Sequence, residues 1–112
     1  MKIKLGNLQL DPWQLGSLGP KFTGVDAIVW VSSHQKYKVP YILVGIKGSY
    51  DVVVTVENQP RVIVSKHGVI IQENLWEQIV RWINLNLKGL YMLWNDEIST
   101  ADFILIYMQK IS

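Results

Sequence analysis

The interval at which apolar residues recur changes once along this chain, and that change restricts its fold more than any other feature. Up to residue 72 they mostly alternate with polar ones; from Glu73 they return about every 3.6 residues. Alternation places successive side chains on opposite faces of a strand, whereas the longer interval lines them along one stripe of a helix. A valine-rich β half followed by a tryptophan-bearing α half predicts an α+β fold. The expectation is one antiparallel β-sheet of five to six strands followed by a C-terminal helical pair packed on one face. The 112 residues, 49% of them hydrophobic, fit a single domain over 1–112, mainly β to residue 72 and mainly α from 73.

Within the β half, Lys2 to Leu5 reads as an edge strand. "LDPWQLGSLGPKFTG" holds two prolines and several glycines, so residues 11–24 read as an irregular loop. Its Leu10, Trp13, Leu15, Leu18 and Phe22 are expected to pack down as a lid. The next strand is Val25 to Ser33, with Val25, Ala27, Val29 and Val31 on one face and Asp26, Ile28, Trp30 and Ser32 on the other. "SHQKYKVP" turns into Tyr41–Lys47, and Gly48-Ser49 connects to Tyr50–Glu57. There Val52, Val54 and Val56 oppose Asp51, Thr55 and Glu57, the pattern of a half-solvated strand. Asn58-Gln59-Pro60 leads to Arg61–Ser65, and Lys66-His67-Gly68 to a last strand, Val69–Gln72.

In the α half, Asn74 is placed to cap a helix and Glu77 to reach back to it. Trp76, Val80, Ile83, Leu87, Leu90 and Trp94 follow at intervals of 4, 3, 4, 3 and 4, widened by Leu75, Ile79 and Trp82. The unbroken stripe predicts one helix through Trp94, with Gly89 inside it at a cost of about 1 kcal/mol. "WNDEIST" then reads as a corner rather than a catalytic cluster. Asn95 takes the left-handed conformation that ends a helix, and Asp96 and Glu97 sit before the positive end of the next one. Ser99 or Thr100 caps that helix, with Ile104, Tyr107, Met108 and Ile111 on one face. A strand over 103–111 is the rival reading, and helix is preferred because cap and spacing agree.

Several segments together resemble a family of small uncharacterised bacterial and phage-type proteins. They are Thr23-Gly24, Trp30-Val31-Ser32, Pro60-Arg61-Val62, Trp82-Ile83-Asn84-Leu85-Asn86 and the corner Trp94–Thr100, in order over most of residues 22–112. The resemblance implies a shared fold and a phage or mobile-element setting, and it brings no established activity. The relatives carry an Arg-His-Asp cluster where this chain has "HQKYKVPY", so a function built on that cluster does not carry over.

Composition removes some chemistries. The chain has no cysteine, so disulfides, thiolate catalysis and cysteine-based zinc sites are excluded. Its two histidines, His34 and His67, lack metal-ligand spacing, so neither a metal nor another cofactor is expected. "GSLGPKFTG" lacks the Gly-Lys-Ser/Thr ending of a phosphate loop, and no Gly-x-Ser-x-Gly elbow occurs. No apolar run reaches the roughly 18–20 residues of a membrane span, and the start has no continuous apolar signal core. The expectation is a cytoplasmic protein with no membrane partner.

Three constellations remain. His34, His67, Arg61 and Lys66 would supply the general acid, base and cations of a metal-free ribonuclease if two turns meet. Lys36, Tyr37, Lys38, Tyr41 and Lys47 interleave cations with rings, as a nucleic-acid surface does. Five tryptophans and five tyrosines, Trp76 and Trp82 on the long helix among them, suit a protein interface or self-association. The last is the preferred reading: a non-enzymatic protein-binding or regulatory module. A nucleic-acid-directed protein, RNA binder or toxin-type ribonuclease, is the alternative.

Overall fold

The structure is a computed structural model that describes residues 3–5, 8–10, 16–31, 37–46 and 52–111, with backbone alone for 3–5, 8–10 and His67. Strands β1 (Ile3–Leu5) and β2 (Leu8–Leu10) pair with each other as a separate antiparallel hairpin. The first segment is therefore not an edge of the main sheet, because Leu8–Leu10 takes up its hydrogen bonds. The main sheet has five antiparallel strands in chain order: β3 (Ser17–Leu18), β4 (Ile28–Trp30), β5 (Tyr41–Gly45), β6 (Val52–Thr55) and β7 (Val62–Ser65). Between β3 and β4 lies α1 (Pro20–Thr23), which starts on a proline and ends at Gly24, φ 82°.

The expected alternation of faces holds, but both faces of the central strands are covered. Val29, Val44 and Val52 lie in register on one face, joined by Val25, Val31, Ile42, Val54 and Val56. This face meets the helices. The opposite face carries Trp30, Leu43 and Val53 in register, with Tyr41 and partly buried Ile28, Tyr37, Val64 and Trp94. The half-solvated reading of Tyr50–Glu57 is thus corrected: Val52–Thr55 is buried throughout. Thr55 tolerates burial because its hydroxyl donates to Glu57 and accepts from the Arg61 amide at 2.8 Å. Tyr41 meets the Trp94 ring edge-on at 5.5 Å, so an aromatic from the helical half helps close this second face.

Val69–Gln72 is not a strand. Lys66–Gly68 makes a 3₁₀ turn in which Gly68 has φ 63°, and the chain leaves the sheet there. The Ser65 hydroxyl satisfies the Val69 carbonyl at 2.8 Å. β7 is consequently the sheet edge, and it carries a register irregularity opposite Val53/Val54. The expected Lys36, Lys47, Asp51 and Gly48-Ser49, like His34, Trp13 and Leu15, lie outside the described residues. Of the expected lid, Leu18 is buried and Phe22 is exposed.

Two helices replace the single long one: α2 (Glu73–Leu85) and α3 (Leu87–Trp94), separated at Asn86. The capping box at Asn74 does not form; Gln72 precedes the helix and makes no side-chain cap. The buried line is Leu75, Ile79, Trp82 and Ile83, continuing through Asn86 to Leu90 and Leu93, while Trp76 and Val80 sit at its flank. Each of those apolar side chains contributes about 1.5–3 kcal/mol on burial. The left-handed residue at the corner is Asp96 (φ 59°), not Asn95. Ser99 does cap the next element, α4 (Thr100–Asp102): its hydroxyl accepts from the Asp102 amide at 3.0 Å, and Asp102 returns the capping-box contact. The helix stops early. Phe103–Tyr107 is a wider π turn closed by the Met108 amide on the Phe103 carbonyl at 2.8 Å, and the chain is extended beyond it. The expected stripe over 104–111 is therefore not helical throughout; Phe103 is the fully buried anchor, and Ile111 is buried from an extended segment.

Candidate binding groove

Asn86 organises the surface that the C-terminal elements present. Its side chain is buried and its amide donates to the Trp82 carbonyl at 2.9 Å and to the Gln109 carbonyl at 2.8 Å. In return the Gln109 backbone amide donates to the Asn86 side-chain oxygen Oδ1 at 2.6 Å. This paired contact holds the last extended segment across the junction of α2 and α3. A second clasp follows, the Ile111 amide on the Thr23 carbonyl at 2.9 Å. Gly24 permits it, since a Cβ there would lie 2.2 Å from the Ile111 carbonyl oxygen.

With the segment so fixed, two adjoining depressions open along the outer side of α2 and α3. One, of about 740 Å³, is lined by Asn84, Leu85, Leu87, Lys88, Tyr91, Met92 and Glu97. The other, of about 470 Å³, is lined by Arg81, Asn84, Leu85, Lys110 and Ile111. They share Asn84 and Leu85, so they form one groove whose floor is mainly apolar. Leu85 is 45% exposed and Tyr91 36%. The π turn packed on α3 exposes Leu105 and Ile106, 82% and 70%, and sets Tyr107 beside Gly89. Phe103 holds that turn against α3: a Cβ on Gly89 would stand 3.1 Å from its ring.

The residues singled out from sequence fall elsewhere. Trp82 is fully buried, edge-on to Phe103 at 6.3 Å, and its indole N–H has no hydrogen-bond partner among the described residues. It is a core residue, not an interface anchor. Trp76 is half-buried against the same core. Tyr41 is buried, and the half-buried Tyr37 meets its ring edge-on at 5.1 Å. Tyr41 thus has no face open for stacking on a base; Lys38 is exposed. The reason is common to all of them: large rings gain most from burial, so the core takes them first.

Of the ribonuclease constellation, Lys66 is exposed on the 3₁₀ turn that also contains the His67 backbone. Arg61 is held by Glu57, Nε to carboxylate at 3.0 Å. The Thr55 hydroxyl and Arg61 together hold the Glu57 carboxyl below the usual carboxylate range. Among the described residues no cluster of three or more His, Asp or Glu is placed to hold a metal, and no helix is long and apolar enough to cross a membrane.

Sequence reasoning missed Lys88, Tyr91, Met92, Leu105, Ile106 and Lys110 as a surface, although Leu85 stood among the apolar residues that crowd the first half of the long helix. One signal pointed there: Arg81, Lys88 and Lys110 are the only cations after residue 72. A scan against protein-family models, a search of curated proteins and a search of solved structures each find no match to this chain.

Proposed function

We propose that this chain is a non-enzymatic cytoplasmic module, of phage or mobile-element character, that recognises a protein through the outer side of its C-terminal helices. One observation carries the reading: an apolar groove with Leu85 and Tyr91 exposed in it lies beside a turn that exposes Leu105 and Ile106. Leaving such side chains in water forgoes burial worth about 25 cal/mol per Å². Exposed apolar surface gathered on one side of a protein marks interaction sites. The occupant is a partner protein or a second copy of this chain.

Site-specific photo-crosslinking tests it. A crosslinking residue placed at Tyr91 or Leu105 captures a defined partner or a second copy in expressing cells, and one at exposed Glu73 does not. Equal capture from all three positions removes the reading. The alternative, a nucleic-acid-directed protein, has its own test. RNA cleavage by the wild type that is lost in His34→Ala/His67→Ala replaces the binding module with a ribonuclease.

A further inference from the structure

We propose that the groove takes an acidic, partly apolar peptide segment of a partner protein. This rests on the protein-binding reading above and adds the partner's chemistry. Its apolar side chains sit on Leu85, Leu87, Tyr91 and Met92, and its carboxylates face Lys88 and Lys110.

Charge placement carries the argument. Residues 73–112 hold three cations, Arg81, Lys88 and Lys110, against five carboxylates. All three cations line the joined grooves, whereas Glu97 is the one acid that does. A helical half that is negative in balance therefore gathers its positive charge around its apolar depression. Lys88 and Lys110 are exposed, and neither has an ion-pair partner among the described residues. Their charge is open to a ligand, and opposite charge on a rim steers and orients the incoming chain. From Arg81 to Met92 the helices advance about 16 Å at about 1.5 Å per residue. That length suits a helix of two to three turns or roughly five extended residues. A nucleic acid would also seek cations, but the floor is aliphatic apart from one ring, and stacking needs rings.

The test is selection of a displayed random peptide library against the intact chain and, in parallel, against Lys88→Glu/Lys110→Glu. Circular dichroism first checks that the variant is folded. Peptides enriched on the wild type carry net negative charge and at least two large apolar residues. They bind the variant about tenfold or more weakly at low salt, and the gap closes as salt rises. Enrichment of neutral or basic peptides, or equal binding to both proteins, overturns the acidic partner. The groove reading then still stands if Tyr91 crosslinks a protein. No enriched peptide and no Tyr91 crosslink remove both. A single-stranded RNA that outcompetes the enriched peptides overturns the proposal in favour of nucleic acid.

Discussion

Asn86 shows how one polar side chain redirects a helix. Buried among Trp82, Ile83 and the extended 108–111 segment, it exchanges two hydrogen bonds with the Gln109 backbone and gives another to the Trp82 carbonyl. Truncating it leaves the Gln109 amide and carbonyl without these partners, at about 1–3 kcal/mol for each group left unsatisfied. Asn86→Ala is therefore expected to lower stability by about 2–6 kcal/mol, read from the urea midpoint with the slope unchanged. A cost under half of that low figure would show the clasp to be incidental. Trp82 behaves in the opposite sense. Its N–H is buried without a partner among the described residues, so Trp82→Phe loses ring area and also an unsatisfied donor. It is expected to cost about 1 kcal/mol, well short of the roughly 3–5 kcal/mol of a truncation to alanine. Glu57 supplies a pH dependence. Its folded pKa lies below the ordinary 4.5, so its contribution is present above that value and is lost as pH falls through the lower folded one. Glu57→Gln should flatten the acid limb of the stability profile in that window, and an unchanged limb would count against the Thr55–Glu57–Arg61 contact.

Helices and strands here are set as much by neighbours as by propensity. Gly89 is a test case, because alanine in its place gains about 1 kcal/mol of helix propensity. The new Cβ would press on the Phe103 ring at 3.1 and 3.3 Å, and Phe103 is fully buried with its ring edge-on to Trp82. Overpacking costs about 1–3 kcal/mol, so Gly89→Ala should be destabilising on balance. In a Phe103→Leu background the same change should become neutral or stabilising. A sign that does not move between the two backgrounds would exclude the clash as its cause. The π turn obeys the same logic. Ser99 starts a helix as its spacing with Asp102 predicted, but burial of Phe103 and the clasp at Gln109 and Ile111 end it within two turns. Ser99→Ala is expected to cost about 1 kcal/mol and to speed amide exchange at Asp102 and Phe103.

Taken as a body, the protein exposes apolar side chains on two sides, Val62 and Ile63 on β7 and Leu85, Tyr91, Leu105 and Ile106 on the helical side. The β7 edge is interrupted by a register irregularity and flanked by exposed Arg61 and Lys66, devices that discourage pairing with another sheet. The helical side leaves its apolar groove and the Leu105–Ile106 turn uncovered. If a second copy is the occupant, association should run through this side. Leu105→Glu/Ile106→Glu then shifts a dimer to monomer in size-exclusion chromatography with light scattering, while Ile63→Glu on β7 does not. The reverse pattern would place the interface on the sheet.

Periodicity carried the architecture: valine alternation from Val25 to Val56 and the 3.6 interval after Glu73 gave a sheet with the right valines inward, then helices whose buried line runs beside the expected stripe. Such patterns are local, because a strand or helix repeats its own geometry every few residues. The Ser99–Asp102 cap was legible for the same reason. The break at Asn86, the end of the last helix after Tyr107, the coverage of both sheet faces and the burial of Tyr41 and Trp82 were not. Each depends on a residue distant in sequence: Gln109 for Asn86, Thr23 for Ile111, Trp94 for Tyr41 and Phe103 for Trp82. The groove belongs with them. Its cations were visible as residue types, but only packing α2, α3 and the returning chain end together put Arg81, Lys88 and Lys110 around one apolar floor.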